Sequence, residues 1–208
     1  MASCSPDIKL TYFDMTGIAE TIRLAFYIAD VSFVDERIAF ADWPKLKPST
    51  PFGGLPIMVM DGKTYAQSRP LLRYAGKRTG IHPDDPLAAL EIEMIVDGLY
   101  DIFVAMGTVR QDKDPQSKVQ RQMEFKEKIF PHMMSSIDDL VGKTNPNYCI
   151  GESLTIADLM LYNVLDFFQK GVVDFMPKDC TKPYANSSKI HDHVVKHGKV
   201  AQWRQKHS

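Results

Sequence analysis

Apolar positions along this chain change their spacing near residue 80. Before that point, short extended runs alternate with helical ones. After it, every recurring pattern is helical. Lys9 to Phe13 reads as a first strand. Asp14 to Gly17 is a loop in which Asp14 or Thr16 is placed to cap a helix. That helix spans Ile18 to Asp30: Ile18, Ile22, Ala25, Phe26 and Ala29 recur at three and four, with Glu20 and Arg23 outside the stripe. Phe33 to Ile38 reads as a second strand. A crossover helix of this length joins parallel strands, with a right-handed connection as the default.

Trp43 to Ser68 continues the pattern. A Lys- and Pro-rich loop leads through Phe52-Gly53-Gly54 to Leu55-Pro56 and the apolar run Ile57-Met58-Val59-Met60. Pro56 cannot donate to a ladder, so it belongs at a strand start or edge, and a cis bond there suits a loop that presents its backbone to a ligand. Asp61-Gly62 between two extended runs is a two-residue hairpin signal. Pro70 to Arg78 is a short amphipathic helix with Ser68 placed to cap it. Ile81 to Pro86 is a linker by composition. Leu87–Arg110, Gln116–Val141, Thr155–Gln169 and about Ser187–Lys199 then read as helices, the third apolar enough to be deeply buried. Thr155-x-x-Asp158 is a capping box, structural in role.

Composition narrows the class. The 208 residues allow one large domain or two small ones. A net charge of -1 gives no global field toward nucleic acid or an anionic membrane. No apolar run approaches the roughly 20 residues that span a bilayer. The first residues carry no basic segment followed by an apolar one, so no secretory signal is expected and the cytoplasm is the expected location. Cys4, Cys149 and Cys180 form neither a disulfide framework nor a C-x-x-C. His193 and His197 are four apart, but a metal site needs at least three protein ligands, so none is expected.

Ordered motifs carry more. They are Leu10-Thr11-Tyr12-Phe13, Ala19-Glu20-x-Ile22-Arg23, Trp43-Pro44-x-Leu46-Lys47, Thr50-Pro51-Phe52-Gly53-x-Leu55-Pro56, Gln67-Ser68-x-x-Leu71-Leu72-Arg73-Tyr74, Val96-Asp97-Gly98-Leu99-x-Asp101 and Leu154-Thr155-x-Ala157-Asp158. With the β-α-β-β-β-α pattern before an all-helical part, the chain resembles the cytosolic glutathione transferases, most closely the sigma class.

The resemblance implies an α/β plus all-α fold: a thioredoxin-like glutathione-binding domain over residues 1–81, a linker over 82–86, and an all-helical domain over 87–208. It implies that Leu55, before a cis-Pro56, pairs its backbone with the cysteinyl part of glutathione. Gln67 and Ser68 match the site for the γ-glutamyl carboxylate, and the N–H groups of a helix start suit an anion. Trp43 and Lys47 match positions that hold the glycyl end. Asp101 matches an acid that reaches across a homodimer to the γ-glutamyl amine. Tyr12 matches the catalytic tyrosine, whose hydroxyl stabilises the thiolate. A thiol with a pKa of about 8.5 needs roughly 2.7 kcal/mol for a two-unit shift. Phe13, Ile18, Phe103, Met106 and Thr108 would line an apolar pocket for small hydrophobic electrophiles. Glutathione is then a co-substrate, and no cofactor is implied.

Three positions depart from the family pattern. Ile18 stands where many sigma-class chains carry Arg, and Gly54 where the family often has Gln or Lys. Thr108 stands at about the place of a Trp in the vertebrate prostaglandin D synthases of this class. Taken alone, Tyr12 is a packing residue on a strand, Gln67-Ser68 a turn and cap, Lys47 a solvated cation and Asp101 a surface charge. Alternatives to conjugation are a glutathione-dependent prostaglandin isomerase or hydroperoxide reductase on the same fold, or a non-catalytic crystallin-like relative. The last is weakened because the chain keeps Tyr12 and lacks the long helical insertion of those proteins.

Overall fold

The computed structural model describes residues 7–207; Cys4 lies outside them. Leu10 and Met58, both fully buried, face each other across neighbouring strands and anchor a four-stranded sheet. Its strands are β1 (Ile8–Phe13), β2 (Val34–Ile38), β3 (Ile57–Met60) and β4 (Lys63–Ala66), in the order β2-β1-β3-β4. β1 and β2 run parallel, joined through helix α1 (Glu20–Ile28), whereas β3 is antiparallel to both β1 and β4. Met60 pairs with Lys63 across the expected two-residue turn, with Asp61 at φ 48° and Gly62 at φ 78°. Positive φ at both central residues matches the right-handed twist of the strands.

A four-residue helix α2 (Trp43–Leu46) and a 3₁₀ turn (Lys47–Ser49) follow β2. The sequence reads this segment as loop. Pro44 in the first turn costs no hydrogen bond, which lets so short a helix form. Helix α3 (Ser68–Thr79) closes the sheet and ends on Gly80 at φ 75°. Gly76 is required here, because a Cβ would sit 2.6 Å from Ile156 Cγ2 and 2.9 Å from His82 Cβ. The remaining helices are α4 (Pro86–Gln111), α5 (Pro115–Glu124), α6 (Phe130–Leu140), α7 (Ile156–Gln169), α8 (Ala185–Lys196) and α9 (Gly198–Lys206). Among the described residues, no helix is long and apolar enough to cross a membrane.

Helix α7 is the centre of the core. Every residue but Gln169 is buried, including Asp158, Asn163 and Asp166. Its capping box is formed: the Thr155 and Cys149 N–H groups donate to Asp158 at 2.7 and 2.6 Å, and Thr155 Oγ1 accepts from Ala157 N–H.

Several expectations are corrected. Neither Asp14 nor Thr16 caps the first helix, which is entered through a 3₁₀ turn (Gly17–Ala19). Ser68 is not the cap of α3 but its first residue, behind Gln67. Gln116–Val141 is not one α-helix: a π-helical turn (Phe125–Ile129) separates α5 from α6. Pro131 explains this, since it has no N–H to offer the preceding turn and its ring crowds that turn's carbonyls. The last helix is two, because the backbone turns extended at His197 (ψ 124°) before Gly198. Glu20 and Arg23, outside the apolar stripe of α1, are nevertheless buried, at 5% and 0% exposure. Helix α9 covers them, with Trp203 Nε1 donating to Glu20 Oε1 at 2.7 Å.

His191 in α8 gives one expected pH effect. It is buried against the Tyr162 ring, with Nδ1 3.3 Å from Asp192. Burial pushes its pKa below the usual 6.5 despite Asp192 and Asp166, and Arg204 adds to the drop. The folded imidazole is therefore neutral where the unfolded one takes a proton. Its contribution is fully present above about pH 6.5 and is lost as pH falls below that value. The urea midpoint should fall between pH 7.5 and 5.5, and His191→Gln should fall less over the same window. Equal slopes for the two proteins would contradict the assignment.

Candidate functional site

Tyr12 sits at the end of β1, paired with Arg37 of β2, where the sheet meets the helical layer. Its ring is enclosed from three sides. Gly17 packs on it so closely that a Cβ at Gly17 would lie 2.7 Å from the hydroxyl. Gly17 also has φ 49°, a second reason for glycine there. The Arg23 guanidinium lies 5.7 Å from the ring centroid. The Ile18 backbone N–H faces the hydroxyl and pulls its pKa down. Burial raises the phenol pKa, and this outweighs the Ile18 backbone N–H and the Arg23 and Arg110 charges. The phenol therefore stays protonated through the neutral range. A protonated phenol keeps its O–H as a donor.

The loop that carries these contacts is held from across the molecule. Asn163, buried in α7, donates from Nδ2 to the Gly17 carbonyl at 2.8 Å. Arg23, fully buried, donates to Asp35 at 2.8 Å, to the Met15 and Thr16 carbonyls at 2.8 and 3.2 Å, and to Glu20 at 3.2 Å.

Tyr12 lines one cavity, and a second adjoins that cavity. The larger, about 610 Å³, is mostly apolar. Its walls include Tyr12, Phe13, Ile18, Phe103, Met106 and Thr108, all of the residues anticipated for an electrophile pocket. Phe13 stacks on Phe40 at 4.4 Å and meets Trp43 edge-on at 5.7 Å. The smaller cavity, about 200 Å³, is lined by Gly54, Leu55, Pro56, Gln67 and Ser68, with Ile18, Phe52, Ala66 and Tyr100. Both cavities share Ile18 and Tyr100.

The smaller cavity has the geometry of a backbone-lined polar cleft. The Leu55–Pro56 bond is cis, as Pro56 at a strand mouth allows. Gln67 holds φ 78°, a left-handed value that is costly for a residue with a Cβ and that clusters at ligand sites. It turns the chain so that Ser68, at the start of α3, lines the cavity. The start of α3 thus borders the cavity, and the N–H groups of a helix start suit a carboxylate.

Three of the anticipated residues line neither cavity. Trp43 braces Phe13, as above. Lys47 is exposed, its stem running over Gly53. Asp101 is exposed on α4, next to Tyr100. Conversely, sequence reasoning passed over Tyr100, Arg110 and Phe167. Tyr100 and Arg110 were within reach of it: Tyr100, Phe103, Gly107 and Arg110 recur at three and four on one face of α4. Phe167 reaches the cavity from α7, and only the fold brings it there.

The model of the glutathione S-transferase C-terminal domain matches residues 100–207. Glutathione S-transferase 1 of Ascaris suum is 32% identical over 174 residues, covering 82% of this chain and 84% of the relative. The human hematopoietic prostaglandin D synthase is 37% identical over 156 residues, covering 74% and 75%. The solved structure of prostaglandin synthase D of Nilaparvata lugens superposes with a TM-score of 0.87 at 28% identity, covering 97% of this chain and 98% of the other. A four-stranded mixed sheet with a helical C-terminal part and these matches agree: the chain belongs to the glutathione S-transferase family.

Proposed function

We propose that this protein is a sigma-like glutathione transferase of the tyrosine type. In this reading it joins the glutathione thiolate to small hydrophobic electrophiles. One observation carries the proposal: a polar cleft and an apolar cavity share the walls Ile18 and Tyr100, and Tyr12 lines the apolar cavity with the Ile18 backbone facing its hydroxyl. Glutathione lies in the cleft, its cysteinyl backbone against Leu55 and its γ-glutamyl carboxylate at Gln67 and Ser68. Lys47 and Trp43 take the glycyl end, and Gly54 offers only backbone. Tyr12 donates to the sulfur and lowers its pKa. With a chloronitrobenzene, the sulfur bonds to the ring carbon and chloride leaves with the electron pair. The test is turnover of 1-chloro-2,4-dinitrobenzene with glutathione; no turnover and no glutathione binding together would refute the proposal.

The division of labour proposed for the chain places glutathione on residues 1–81 and the electrophile largely on 87–208, joined by 82–86. A homodimer belongs to the same proposal. Helix α4 exposes Leu87, Leu90, Met94 and Val104 on the side that carries Asp101, and Phe52 beside the cleft is 71% exposed. These apolar surfaces support a partner there. In such a dimer Asp101 meets the γ-glutamyl amine of the partner's glutathione. Asp101→Ala should then weaken glutathione about tenfold by calorimetry, the value of one charge-assisted hydrogen bond. Unaltered affinity would remove Asp101 from the site.

A second reading, glutathione-dependent isomerisation of a lipid endoperoxide, is favoured by the similarity to prostaglandin synthases. Turnover of a prostaglandin endoperoxide under the same conditions tests it.

The loop behind Tyr12 makes a further expected result. Gly17→Ala forces the tyrosine ring aside, and kcat should fall at least tenfold, since small misplacements of a catalytic group are costly. Asn163→Leu removes the bond to the Gly17 carbonyl without touching substrate. It should reduce kcat severalfold and raise the pH midpoint of activity while KM for glutathione changes little. A change in thermal stability with no change in the pH profile would make Asn163 purely structural.

A further inference from the structure

Arg110 is the only charged side chain in the wall of the large apolar cavity among the described residues. It reaches that wall from α4 and packs over Phe167, with Cζ 5.8 Å from the ring centroid. Arg110 is exposed, and one N–H of its guanidinium donates to the Val172 carbonyl at 3.2 Å, which tethers one side of the fork. No carboxylate among the described residues lies within ion-pair distance of it. Arg110 is also the one residue common to this cavity and a neighbouring cleft of about 340 Å³. That cleft adds Lys118 and Gln122, against the single acid Asp174. The apolar cavity therefore carries in one wall set both Tyr12 and a cation free of any carboxylate partner among the described residues, and a second cation, Lys118, lines the cleft that adjoins it at Arg110.

We propose that Arg110, aided by Lys118, selects electrophiles with an apolar body and an anionic tail, such as an α,β-unsaturated ketone on an alkyl chain ending in a carboxylate. The proposal rests on the transferase reading and specifies its second substrate. The apolar body fills the walls of Phe103, Met106 and Phe167, and the carboxylate pairs with the Arg110 fork, a geometry that guanidinium suits better than ammonium. The reacting carbon is then turned toward Tyr12. The glutathione sulfur bonds to the β-carbon, the π electrons move to the carbonyl oxygen as an enolate, and the α-carbon takes a proton from water. No group leaves.

The test compares ω-carboxy enones of several chain lengths with their methyl esters, which share the reacting carbon and differ only in tail charge. The native chain should favour the acid of best-fitting length over its ester by about tenfold in kcat/KM, expressed in KM, as one partly exposed charge-assisted pair gives. Arg110→Gln, which keeps a donor for Val172, should lower the acid-to-ester ratio about tenfold. Lys118→Gln should lower it less, and Arg110→Glu should reverse it. An acid-to-ester ratio that Arg110→Gln leaves where it was would overturn the proposal while the transferase reading stands. Failure of the native chain to consume either compound, with 1-chloro-2,4-dinitrobenzene also unconsumed, removes the transferase reading and the proposal with it.

Discussion

Tyr12→Phe should cut conjugation of 1-chloro-2,4-dinitrobenzene about 25-fold at pH 7, and the loss should shrink toward pH 9. Phenylalanine preserves the ring that packs on Gly17 and over Arg23, and removes only the O–H. With the hydroxyl, a thiol shifted from about 8.5 to about 6.5 is about three-quarters thiolate at pH 7. Without it, about 3% is thiolate. The ratio of those fractions is the expected loss, reduced somewhat because a more basic thiolate is the better nucleophile. Above the higher pKa both proteins carry a full thiolate and their rates converge. The native phenol, its pKa raised by burial, does not titrate in this range and so imposes no second break on the profile. Thiolate absorbance near 240 nm against pH measures the same quantity without turnover. A midpoint that stays where it was in the Phe variant would refute the role given to the hydroxyl.

The sequence told most where chemistry is local. The β-α-β opening, the Asp61-Gly62 hairpin, the α7 capping box and the strand-mouth proline each rest on neighbours within a few residues, and each stands in the fold. Tyr12, Leu55, Pro56, Gln67 and Ser68 could be named because a family motif surrounds them, and the fold brings them around adjoining cavities. What stayed hidden depends on distant partners. Asn163 meets Gly17 across 146 residues of chain, and Trp203 meets Glu20 across 183. No periodicity records such a pair. For the same reason Glu20 and Arg23 read as the polar side of α1: only the arrival of α9 and the Met15–Thr16 loop makes that side interior. The break between α8 and α9 follows too, since α9 must turn at His197 to lay Trp203 on Tyr27 and Glu20.

Arg23→Leu should lower unfolding free energy by about 3–5 kcal/mol, the usual cost of stripping one partner from a buried ion cluster. For a chain of this length that corresponds to about 10 °C in Tm. The loss is electrostatic more than steric. Leucine occupies much of the stem's space, but it leaves the buried Glu20 without its cation and the Met15 and Thr16 carbonyls without their donor. Asp35 suffers less, because Arg37 also holds it at 2.8 Å. The double variant Arg23→Leu, Glu20→Gln should therefore recover part of the loss. The amide removes the stranded charge and still accepts from Trp203 Nε1. Arg23→Lys should fall between the native chain and the leucine variant. One ammonium can keep an ion pair but cannot reach two carboxylates and two carbonyls at once. Denaturant titrations of the four proteins measure this directly. Equal stability of the leucine and native chains would mean that the cluster adds no net stability. No recovery in the double variant would place the cost in lost packing and not in the unpaired carboxylate. Because the same guanidinium underlies the Tyr12 ring and ties down the loop ending at Gly17, the leucine variant should also lose turnover at temperatures where it remains folded.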